Sequence, residues 1–81
     1  MRLPRDIGGG DLSRRLSRYG YGVVRQTGGH LKLTSNHTGR EHSITIPNQP
    51  LLRLDTLSNI LVEVAVYLGI SKEDLAVALF V

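Results

Sequence analysis

Two adjacent glycines, Gly28 and Gly29, separate two stretches in which apolar and polar residues alternate, and no other feature leaves the chain so little freedom. A two-residue Gly-Gly loop suits a tight hairpin of the primed type, so Thr27 is expected to face His30, Arg25 to face Lys32 and Val23 to face Thr34. Directly opposed residues share one face of a sheet. The intervening Val24, Leu31 and Leu33 then form the other face, and Ile44 and Ile46 extend it if a third strand returns through residues 36–41 with the same parity. One side of the ribbon is aliphatic, and the other reads Arg25, Thr27, His30, Lys32, Thr34, Ser43 and Thr45. A slip of one residue would bury Arg25 and Lys32 without partners, which makes this register the only cheap one.

Helical periodicity brackets the ribbon. Leu12 and Leu16 recur at i, i+4 with Tyr19 near the same stripe, and Gly20 follows as a left-handed stop. This predicts a short first helix from Asp11, with Arg14, Arg15 and Arg18 turned to solvent. Beyond Pro47 and Pro50, the residues Leu57, Ile60, Leu61, Val64, Ala65 and Leu68 make the clearest stripe in the chain, with Asp55 or Thr56 as cap and Gly69 as terminator. Ser71-Lys72-Glu73-Asp74 resembles a capping box for a third helix carrying Leu75, Leu79 and Phe80. Val62 and Val66 lie off the main stripe and are expected beneath the final segment. The order is α-β-β-β-α plus a short C-terminal helix: an α+β fold with a three-stranded antiparallel sheet and helices on its aliphatic face. Residues 1–10, ending in Gly8-Gly9-Gly10, read as a flexible lead-in, and residues 11–81 as a single domain.

A chain of 81 residues buries one modest core and no deep cleft between lobes, so a functional site is expected on an open surface. Without cysteine it has neither a disulfide framework nor a thiolate zinc site, which suits a reducing cytoplasm. Arg2, Arg5 and Asp6 stand where a signal peptide is apolar, and Glu63 interrupts the longest apolar stretch, so no membrane partner is expected. Charge is polarised. Residues 1–40 carry eight basic side chains against Asp6 and Asp11, a net +6, whereas residues 41–81 carry a net −3. An arginine-rich half favours a polyanion, because each guanidinium can fork onto a phosphate; an ordinary solvated surface has the same composition.

His30 has the most chemical reach on the polar face. An imidazole titrating near pH ~6.5 takes a proton from a hydroxyl or returns one to a leaving oxygen, and Gly28 and Gly29 let a ligand approach the backbone beside it. His42 is placed near Ser35, roughly 16 Å away at strand rise, and His37 lies in the same distant loop. The three histidines therefore form neither a metal site nor an acid–base pair. Carboxylate pairs and phosphate-cradling glycine motifs are missing as well. Arg25 and Lys32 beside one titrating group match phosphodiester cleavage in RNA, where the cations offset charge building on the phosphate and no metal or other cofactor is required.

Leu3-Pro4-Arg5-Asp6, Leu12-Ser13-Arg14-Arg15-Leu16, Gly20-Tyr21 and Val24-Arg25-Gln26-Thr27-Gly28-Gly29-His30, followed by Ile44-Thr45-Ile46-Pro47 and Asp55-Thr56-Leu57-Ser58-Asn59-Ile60-Leu61, together resemble the HicA (YcfA-like) toxins of bacterial toxin–antitoxin systems. The resemblance implies a fold similar to the double-stranded-RNA-binding domain and a cytoplasmic mRNA interferase, a metal-independent endoribonuclease whose single catalytic histidine falls on His30. It also implies a HicB-like antitoxin as protein partner. Arg25, Gly28, Gly29, Lys32, Arg14 and Arg18 are the expected RNA-binding residues. Gly29 stands where the family usually has serine, which removes a hydroxyl beside the histidine. A non-catalytic RNA-binding module and an inactive relative acting through protein contacts suit the same fold type. Duplex recognition would place a lysine cluster at the start of the second helix, where this chain has Leu51-Leu52-Arg53-Leu54-Asp55.

Overall fold

The computed structural model describes residues 2–81. Helix α1 (Gly9–Leu16) runs into a 3-10 turn (Ser17–Tyr19); strands β1 (Gly22–Gln26), β2 (His30–Ser35) and β3 (His42–Pro47) follow, and helices α2 (Leu54–Leu68) and α3 (Lys72–Phe80) complete the chain. The strands pair antiparallel in the order β1-β2-β3, giving the expected α+β arrangement. Leu31, Leu33, Ile44 and Ile46 alternate inward, where they join Leu12, Leu16, Leu57, Leu61 and Val64 in one core. Overall extents of 30 × 30 × 17 Å accommodate one sheet layer and one helix layer, so the opposite face of the sheet stays uncovered. Among the described residues, no single helix is long and apolar enough to cross a membrane.

Chain punctuation explains the element ends. Gly20 (φ 79°) and Gly69 (φ 73°) are the left-handed stops that the sequence anticipates. Ser71 caps α3, its hydroxyl accepting from the Asp74 amide at 3.0 Å. The cap expected at Asp55 or Thr56 is displaced: α2 opens after Arg53, and the Asp55 carboxylate accepts instead from the Thr56 amide (2.9 Å) and the Arg53 guanidinium (3.2 Å). Its charge still lies in the first helical turn, where the dipole favours it.

Three other expectations are corrected. β1 is exposed along its whole length, and Val24, assigned to the aliphatic face, is 63% exposed. Pairing is as expected at Arg25↔Lys32 but slips to Val23↔Leu33 and Gly22↔Thr34, with Val24 as the extra residue of a β-bulge. Two anchors force that slip. The turn sets the parity of Arg25 and Thr27, and on that parity Tyr21 would face solvent; the inserted residue turns Tyr21 into the core, where it is 3% exposed. Burying a tyrosine outweighs exposing one valine.

Residues 7–10 are not a loose lead-in. Ile7 is buried and its carbonyl accepts from the Leu52 amide at 2.8 Å, while the Gly9 amide donates to the Gln49 carbonyl at 2.9 Å. A Cβ on Gly8 would lie 2.6 Å from the Pro50 carbonyl oxygen, and one on Gly9 only 2.1 Å from that of Pro47. The glycines let the start of α1 seat against the segment that follows β3. Val62 and Val66 are not covered by the final segment, being 45% and 76% exposed. Helix α3 departs from α2 at 107° and drives Leu75, Ala76 and Leu79 into the core rather than returning along the outer side of α2.

Candidate functional site on the open face of the sheet

The turn that presents His30 is built differently from a primed hairpin, because neither Gly28 nor Gly29 has a left-handed φ. Thr27 and His30 do face each other: the Thr27 amide donates to the His30 carbonyl at 3.0 Å. The return bond goes from the His30 amide to the Thr27 hydroxyl at 3.2 Å, so a side chain replaces the backbone acceptor. A third tether comes from beyond β3, where the Asn48 amide donates to the Gly29 carbonyl at 2.9 Å. Around both glycines a Cβ would meet nothing within 4 Å, which leaves the backbone beside His30 open to a ligand.

His30 lies opposite Pro47 on β3, on the exposed side of β2. Two residues along, about 7 Å at strand rise, Lys32 sits between Arg25 and Thr45 on its two neighbours. Further along, the hydroxyls of Thr34 and Ser43 pair at 3.0 Å. The open face therefore carries an imidazole, two cations and a row of hydroxyls in one line. Among the described residues neither Arg25 nor Lys32 is in an ion pair, so both charges remain uncompensated.

Arg14 and Arg18 are not part of that line. Both belong to the helix layer: Arg14 reaches Asp11 at 3.5 Å, and the Arg18 guanidinium donates to the Ala78 carbonyl at the end of α3. Arg15 acts beside it, donating to the Leu79 carbonyl at 2.7 Å and lying 5.4 Å from the centre of the Phe80 ring. Cations at a helix C-terminus stabilise its unpaired carbonyls, so Arg15 and Arg18 fasten α3 in place.

The other two histidines lie at the far end of β2, as their spacing implies. His42 pairs with Ser35, shares a hydrogen bond between its Nδ1 and the Tyr21 hydroxyl (2.7 Å) and stacks on the Tyr67 ring at 4.7 Å. Burial pushes the Tyr21 phenol up to about 12, with Tyr67 and Glu63 adding to the effect, so this phenol keeps its proton at neutral pH. His37 meets the Tyr19 ring edge-on at 5.8 Å. Among the described residues no three His, Asp or Glu side chains converge as a metal-ligand set.

Sequence reasoning placed Thr27 opposite His30 but gave its hydroxyl no role, and it overlooked Asn48. A threonine before a Gly-Gly pair is a local turn signal and was readable. Asn48 acts through a long-range contact, for which the sequence carries no local sign. The whole is an α+β domain that leaves one sheet face exposed. Comparisons with protein families, with curated proteins and with solved structures find no match for this chain.

Proposed function

We propose that this protein is a metal-independent endoribonuclease that cleaves mRNA on the open sheet face, with His30 as its acid–base group. The reading is carried by one observation: an exposed imidazole, on a turn whose backbone is tethered, shares a face with two cations, Arg25 and Lys32, that among the described residues are in no ion pair. His30 takes the proton of a ribose 2′-hydroxyl, whose oxygen attacks the adjacent phosphorus; the bond to the 5′ oxygen breaks, and that oxygen takes a proton from water or from the imidazolium. Lys32 and Arg25 offset the negative charge that accumulates on the phosphoryl oxygens. A single proton-transfer group makes this a slow nuclease, a property suited to a toxin held in check by a protein partner. The resemblance to HicA toxins supports the same reading, with a HicB-like antitoxin as the neutralising partner and the cytoplasm as the compartment.

The test is incubation of the purified chain with a long RNA in the presence of a chelator, beside His30→Ala. Cleavage by the natural chain alone supports the proposal. Equal RNA association without cleavage by either protein makes the chain a binding module.

A further inference from the structure

Both outer strands of the sheet lack a second strand neighbour among the described residues, and β3 is blunted at its end. β3 ends in Pro47, which has no amide hydrogen and whose carbonyl accepts from the Gln49 amide at 2.9 Å while Gly9 packs against it. β1 has β2 as its sole neighbour and is exposed throughout. Because Thr27 and His30 form a hydrogen-bonded pair, the alternation of an antiparallel ladder turns the amide and carbonyl of Gln26 outward. Beside this edge runs a groove of about 420 Å³ between α1 and β1, with Val23 and Leu31 as apolar lining and Ser13, Arg14, Ser17 and Gln26 as polar lining.

We propose that this groove and the outer edge of β1 are a docking site for an extended, acidic segment of a protein partner, which joins the sheet as a fourth strand. The edge offers the backbone donor and acceptor of Gln26, which another polypeptide backbone matches and a phosphodiester chain, having acceptors only, does not. Side chains of the incoming strand on that face would rest on Val23, which is 49% exposed, and enter the groove beside it. Arg14 sets the charge of the partner: its side chain is 77% exposed, and its pairing with Asp11 is a surface contact worth little, so a partner carboxylate can take its place. Arg25, on β1 itself, adds a second cation along that edge. A second copy of the chain would instead bring these cationic edges together, a like-charge contact that costs stability. The bulge at Val24 interrupts regular pairing and so limits promiscuous strand addition, leaving the edge to a partner that fits the groove. None of this depends on whether His30 cleaves RNA.

The experiment is an amide-resolved NMR titration of the full chain, at low salt, with a short capped peptide alternating valine and glutamate. Shifts confined to residues 22–26 and to the groove side of α1, an affinity lowered about tenfold by Arg14→Glu, and loss of binding in Gln26→Pro are the expected results. Should Gln26→Pro fail to fold, Arg14→Glu and a peptide with lysine for glutamate decide alone, and both should bind weakly. Shifts centred on Lys32 or on Val62 and Val66, absence of binding to the natural chain, or an affinity indifferent to Arg14→Glu overturns the proposal. So does a single-stranded RNA that shifts the same groove amides.

Discussion

Replacing Gly9 by alanine tests how tightly the start of α1 is seated under the residues that hold His30. The added Cβ would lie 2.1 Å from the Pro47 carbonyl oxygen and 3.3 Å from the Asn48 Cα, both backbone atoms. A carbon normally approaches a carbonyl oxygen no closer than about 3.3 Å, so the two segments must part by about 1 Å. Overpacking a filled site costs about 1–3 kcal/mol, and the upper end applies because no flexible side chain can yield. Movement also disturbs the Gly9–Gln49 and Gln49–Pro47 hydrogen bonds, each 2.9 Å. A loss of about 3 kcal/mol is a large part of the roughly 4–12 kcal/mol that a domain of this size possesses, and corresponds to a fall in Tm of roughly 12–24 °C. Gly10→Ala is the control. Its Cβ would meet nothing within 4 Å, and alanine in a helix is favoured over glycine by about 1 kcal/mol, so this variant should gain stability. Urea unfolding followed by circular dichroism measures both. Because Pro47 faces His30, Gly9→Ala should also shift the His30 and Asn48 resonances. A Gly9→Ala protein as stable as the natural chain, with those resonances unmoved, refutes the argument.

Three further outcomes are expected. Stability should fall as pH rises from the ordinary phenol value of 10.0 toward about 12, since the unfolded Tyr21 ionises first while the buried one keeps its proton; below pH 10.0 the contribution is complete. Tyr21→Phe should flatten that alkaline decline while losing about 1 kcal/mol at neutral pH with the bond to His42, and an unchanged decline in alkaline denaturation would exclude burial as the cause. Lys32→Ala should lower the salt dependence of RNA association by about one unit of slope, whereas Arg18→Ala should leave it unaltered and cost about 0.5–1 kcal/mol by loosening α3; filter binding and thermal unfolding separate the two. Gly29→Ser should keep stability within about 0.5 kcal/mol, there being open space at that position, and by the HicA resemblance should raise the cleavage rate. A loss of stability there would show that the turn needs glycine for its own conformation.

Much of the site was legible because its logic is local. The two-residue spacing of His30, Lys32 and Thr34 places them on one side of a strand whatever the rest of the chain does, and the apolar set Leu31, Leu33, Ile44 and Ile46 names the other side. Parity failed at Val24 for a reason that is not local: the register imposed by the turn and the burial demanded by Tyr21 conflict, and only a bulge satisfies both. Arg14 and Arg18 were grouped with Arg25 and Lys32 as RNA-binding residues, yet they lie on the helix layer, where one borders the β1 groove and the other holds α3.

Periodicity and punctuation, written in the chain, determined that α1, the three strands, α2 and α3 occur in that order, that Gly20 and Gly69 end their elements, and that an imidazole stands on the polar face of a ribbon. These follow from side-chain direction and backbone stereochemistry, which act over a few residues. Packing decided that Gly8 and Gly9 seat α1 against the end of β3, that Asn48 tethers the turn beside His30, and that one sheet edge is blunted and the other left open. Such contacts join residues far apart in sequence through shape and distance, and neither quantity exists until the chain has folded.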